Sequence, residues 1–91
     1  MIMYRFYSGA ENKNRVSVVG RYSEGILTIA VSRCSNKDHF FRKKGRYIAE
    51  GRLEKGKTYL IKPLEFCDVK TFVDIAKQVA YEVSINKKVI S

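Results

Sequence analysis

The chain has 91 residues, 45% of them hydrophobic, and its 18 Lys+Arg against 9 Asp+Glu give a net charge of +9. That length sets a single compact domain, residues 1–91, with one modest core, and the hydrophobic share excludes an intrinsically disordered chain. No stretch approaches the roughly 20 apolar residues of a membrane helix, and the opening "MIMYRFYSG" is too short and polar for a secretory signal, so a cytoplasmic protein with no membrane partner is expected.

Residues 2–7, "IMYRFY", alternate Ile2, Tyr4 and Phe6 with Met3, Arg5 and Tyr7, the period of a strand. "SGAENKN" reads as a loop. "RVSVVGRY" (15–22) is a second strand, with Val16 and Val18 on one side and Gly20 placed for a bulge. "SEG" has hairpin-turn length. "ILTIAVSR" (26–33) puts Leu27, Ile29 and Val31 on one face and Thr28, Ala30 and Ser32 on the other.

At "CSNKD" the period changes. Ser35 followed by Asp38 resembles a capping box and predicts a helix from about Asn36, ending by Gly51, or near Leu53 if Gly56 is the stop. The alternative is that residues 52–54 open a hairpin into 57–62. "KTYLIKPL" (57–64) returns to strand character and Pro63 closes it. Asp68 caps a second helix over 69–84, whose stripe of Val69, Phe72, Ile75, Ala76, Val79, Ala80 and Val83 marks a helix docked on a sheet. The reading is an α+β fold of order β-β-β-α-β-α, a four-stranded, largely antiparallel sheet with two packed helices.

Cys34 and Cys67 stand 33 positions apart, outside any CxxC or Cys/His metal spacing, and read as two buried thiols. No metal or other cofactor is expected. The charge, by contrast, is concentrated. Residues 33–62 hold ten Lys/Arg and three acids, while the other 61 residues hold eight bases and six acids. A focused positive field attracts nucleic acid, a nucleoprotein, an acidic protein or another anion.

At about 100° per residue, Phe41, Gly45, Ile48 and Ala49 form the expected core face of the first helix. His39, Arg42, Lys43, Arg46 and Glu50 face outward, with Phe40 and Tyr47 on the flank. A charged outer face is usually only solvated surface. Here it is nearly single-signed, and Arg42 and Arg46 repel at i,i+4 unless an anion lies between them. The expected binding set is therefore Arg33, Lys37, Phe40, Arg42, Lys43, Arg46, Tyr47, Arg52, Lys55 and Lys57, with cations meeting phosphates and an aromatic stacking on a base. The glycines here fit neither GxxxxGK[ST] nor GxGxxG. His39, the single histidine, reads as a surface residue near a helix start. As a general base in a small nuclease it would need Asp38, Arg33 or Arg42 to converge on one phosphate.

The run "RCSNKDHFFRKKGRYIAEGRLEKGK", residues 33–57, resembles a segment of small bacteriophage and mobile-element proteins. The resemblance implies a compact, non-enzymatic inhibitor of host nucleic-acid-handling or defence machinery, of the anti-CRISPR type, acting in the host cytoplasm. Many such inhibitors mimic DNA and are acidic. This basic chain would instead bind a nucleic acid, an acidic protein surface or an anionic nucleotide signal. A direct DNA- or RNA-binding accessory protein is the first alternative, and a small nuclease or nucleotide-signal binder the second.

Overall fold

The computed structural model describes residues 1–8, 15–34 and 42–85; for 34 and 42–45 it describes the backbone. The elements are β1 (Ile2–Ser8), β2 (Arg15–Ser23), β3 (Ile26–Cys34), α1 (Arg42–Glu54), β4 (Leu60–Pro63) and α2 (Val69–Ile85). The strands form one antiparallel sheet in the order β1-β2-β3-β4. The fold is α+β with the order β-β-β-α-β-α.

The helices cover opposite faces of the sheet. Cross-strand partners share a face, so the register Tyr4↔Gly20↔Ile29↔Leu60 places these residues on the α2 side. There Tyr4, Val16, Val18, Leu27, Ile29 and Val31 pack with Phe72, Ala76, Val79, Ala80 and Val83. On the α1 side, Val19, Ala30, Ala49 and Leu53 form a second buried cluster among the described residues. Two-sided cover explains why the buried run in β2 is continuous from Val16 to Gly20 rather than alternating.

β2 and β3 join through the two-residue turn Glu24–Gly25, where both residues have positive φ (53° and 76°), the turn form that follows the twist of a hairpin. Gly20 makes no bulge. The register runs unbroken through it on both sides. It is there for room: a Cβ at Gly20 would stand 2.4 Å from Cε1 of Phe72. That ring in turn stacks on Tyr4, with centroids 5.1 Å apart and planes 17° apart.

Asp68 caps α2 as expected, its Oδ1 accepting from the Thr71 N–H at 2.8 Å. This hydrogen bond to the ionised form holds the Asp68 carboxyl below the usual carboxylate range. Two sheet tyrosines pin the chain that delivers the helix. The Tyr4 hydroxyl donates to the Cys67 carbonyl at 2.9 Å, and Tyr22 donates to the Leu64 carbonyl at 2.7 Å. Tyr59 donates to Glu82 at 3.0 Å, tying the approach to β4 to α2.

Of the two ends expected for helix α1, the later is observed: the helix continues through Gly51 to Glu54, and residues 52–54 are helical rather than part of a hairpin. Its stop is Gly56, at φ 77°. The Gly56 N–H bonds to the Leu53 carbonyl and the Lys57 N–H to the Arg52 carbonyl, the paired bonds of a Schellman ending. Other expectations need correction. Ile48 is 39% exposed, while Ala49 of the same expected face is buried, with Leu53 beside it among the described residues of α1. Val69, expected on the docked stripe of α2, is exposed at the first position of that helix. Glu50 faces Arg5 of β1 instead of joining a purely outward face. Strand β4 covers Leu60–Pro63 and not 57–64, although the Tyr59 N–H still bonds to the Ile29 carbonyl. The expected cap at Ser35–Asp38, with His39, Phe40 and Phe41, lies outside the described residues.

Candidate polyanion-binding face

The sheet divides the protein electrically as well as spatially. Residue parity puts Arg5, Arg15 and Arg21 on the α1 side, since they share their strand faces with Val19 and Ala30. Helix α1 adds Arg46 and Arg52, and Lys55 and Lys57 follow at its C-terminal end. Among the described side chains these seven bases meet two acids, Glu50 and Glu54. On the other side, four bases (Arg33, Lys62, Lys70 and Lys77) meet three acids (Asp68, Asp74 and Glu82). Glu24, at the hairpin tip, and Glu65, between β4 and α2, are counted on neither side. The charge excess of the described residues therefore lies on the α1 layer. A single-signed surface above a low-dielectric sheet supports a potential of several kT.

The packing explains why the excess can sit there. α2 is held by a broad apolar core, with Phe72 alone contributing roughly 1.5–3 kcal/mol by burial. Among its described residues α1 buries Ala49 and Leu53 and is also pinned by polar contacts. The Arg52 guanidinium donates Nη1 to the Val31 carbonyl at 2.8 Å. Arg5 Nε meets Glu50 Oε1 at 2.8 Å, and Arg46 Nε lies 3.8 Å from the same oxygen. Glu50 thus bonds Arg5 of the sheet and pairs more loosely with Arg46 of its own helix, on the two walls of a groove.

The expected binding residues separate into groups. Arg46, Tyr47, Lys55 and Lys57 are exposed on the α1 layer, and the Arg46 guanidinium lies 5.9 Å from the Tyr47 ring centroid, within cation–π reach. Arg42 and Lys43 belong to the first turn of the same helix. Arg52 is half-buried and structural in its contacts. Arg33 is on the opposite side, donating to the Val83 carbonyl near the end of α2 at 3.2 Å, where a cation complements the helix dipole. Lys37 and Phe40 lie outside the described residues, as does His39. Reasoning from the helix alone missed Arg5, Arg15 and Arg21. Their odd-numbered positions, opposite in parity to Tyr4, Val16 and Val18, were the available signal.

Chemistry elsewhere is sparse. Among the described residues no three His, Cys, Asp or Glu side chains group as a metal site. Cys67 is an unpaired, buried thiol that burial pushes up, away from the nucleophilic thiolate. Burial likewise raises Tyr4, and burial followed by the Glu82 hydrogen bond raises Tyr59. Among the described residues no helix is long and apolar enough to cross a membrane.

Family models, curated proteins and solved structures were each compared with the chain, and none of the three comparisons finds a match.

Proposed function

We propose that the protein is a non-enzymatic binding module that docks its α1 layer on the phosphate backbone of a nucleic acid, bare or within a nucleoprotein. The observation that carries this reading is the division of charge across the sheet among the described side chains, seven bases to two acids on one side and four to three on the other. Net charge spread evenly would serve solubility. Charge gathered on one layer, with an exposed Tyr47 beside Arg46, matches the electrostatic footprint of a phosphate binder. In the setting that the phage-like segment 33–57 implies, such docking would inhibit a host nucleic-acid-handling or defence complex by occupying its nucleic-acid surface.

The test is what travels with the protein from a host cell lysate at low salt. Under this reading nucleic acid or a nucleoprotein co-purifies, raising the 260/280 nm absorbance ratio, and is released as salt increases. A protein recovered clean at low salt, with no affinity for added DNA or RNA, contradicts it.

A further inference from the structure

Between β1 and α1 lies a groove of about 390 Å³ lined by Arg5, Tyr7, Ser17, Val19 and Arg46 among others. Its size and make-up are those of a ligand pocket: mostly apolar walls with a few polar groups at fixed places. Val19 is wholly buried at its base and Ser17 nearly so, and Tyr7 supplies an aromatic wall. Arg5 and Arg46 come from the two sides. Arg5 Nε donates to Glu50 Oε1 at 2.8 Å, while Arg46 Nε pairs with the same oxygen at 3.8 Å, beyond hydrogen-bond distance. Each guanidinium is a planar fork suited to phosphate oxygens.

We propose that this groove is a nucleotide subsite for single-stranded nucleic acid, with a backbone phosphate between Arg5 and Arg46 and the adjoining base in the slot beside Tyr7. This deepens the α1-layer reading and rests on it. Base and phosphate are the two chemistries that the groove pairs, an aromatic ring among largely apolar walls and two arginines. In a duplex the base is stacked and cannot enter the slot, whereas a single strand can turn it out. An acidic peptide supplies the charge without a flat ring for the slot.

The experiment is fluorescence anisotropy at one fixed salt concentration, using a labelled oligouridine of about twelve residues and an RNA duplex of equal length. Wild type is compared with Tyr7→Ala and Arg46→Gln, each first checked for an unchanged melting temperature. Photo-crosslinking of the wild type to a 4-thiouridine-substituted strand locates the base without any variant. The subsite predicts single strand tighter than duplex by about tenfold, loss of that preference in Tyr7→Ala, and crosslinks on β1. Equal affinity for strand and duplex, with crosslinks confined to α1 and Lys55–Lys57, overturns the subsite while leaving the α1-layer reading standing. A poly-glutamate peptide that competes as well as the strand, or uridine monophosphate that binds as tightly, also overturns it. Absence of binding to either RNA overturns the subsite, and absence of binding to DNA as well removes the α1-layer reading.

Discussion

Gly20 and Phe72 are fitted to each other: the ring edge occupies the space where a Cβ on Gly20 would have to be, 2.4 Å from Cε1. The ring cannot easily give way, because its face is stacked on Tyr4, the direct cross-strand neighbour of Gly20. The aromatic pair covers the strip of sheet that the glycine leaves bare, and α2 is seated by it. Gly20→Ala should therefore destabilise by about 1–3 kcal/mol, the cost of overpacking a filled core. Phe72→Leu in the same chain should recover part of that loss, a coupling that thermal or denaturant unfolding of the double-mutant cycle measures.

Asp68 gives a pH dependence whose sign is fixed. Its carboxyl is depressed in the folded protein, chiefly by the Thr71 N–H, so its stabilising contribution is present above the unfolded carboxylate value of about 4. The contribution is lost as pH falls through the lower folded value. Asp68→Asn keeps a capping oxygen and should melt close to wild type at low pH but below it at neutral pH. Melting curves between about pH 2 and pH 7 check this.

Arg52 and Arg46 lie on one helix and should answer to different assays. Arg52→Lys keeps the charge but loses the guanidinium contact to the Val31 carbonyl, and should cost about 1 kcal/mol of stability with little change in nucleic-acid affinity. Arg46→Gln removes an exposed cation and should leave the melting temperature nearly unchanged while weakening binding. Melting and anisotropy on the same two variants separate the roles.

The strands and α2 were legible because their signals are local. Period-two alternation marks β1 and β3, and Asp68 followed by the Phe72–Ala76–Val79–Val83 stripe marks α2. Helix α1 was harder for two physical reasons. Gly51 looked like a stop but sits inside the helix with nothing within 4 Å of its missing Cβ, so it costs only propensity, about 1 kcal/mol. The stop is the alternative that the sequence offered, Gly56, where φ is positive. The core face expected over Ile48 and Ala49 holds at Ala49, with Leu53 one turn on, while Ile48 lies at its exposed edge. The helices' placement on opposite faces could be read from the uninterrupted small and apolar runs "VSVVG" and "IAVS". The site was legible only where it is contiguous. Arg46, Tyr47, Lys55 and Lys57 could be found on one segment, whereas Arg5 joins them through the register of β1 and a bond to Glu50.

Gly56→Ala should shorten α1 from its C-terminal end, since an L-residue resists the φ of 77° that the paired closing bonds require. The expected loss is about 1 kcal/mol, with faster amide exchange at Gly56 and Lys57. Unchanged exchange there would contradict the role given to Gly56.

The central claim is that the α1 layer, and not the net charge of +9 as such, meets the polyanion. The direct measurement is the slope of log binding constant against log salt for wild type and two charge-matched double variants. Arg46→Glu with Lys55→Glu alters the α1 layer, and Lys70→Glu with Lys77→Glu alters α2. The account predicts a slope reduced by about two in the first variant and essentially kept in the second. Equal losses in the two variants, or a wild-type slope near zero, would contradict it.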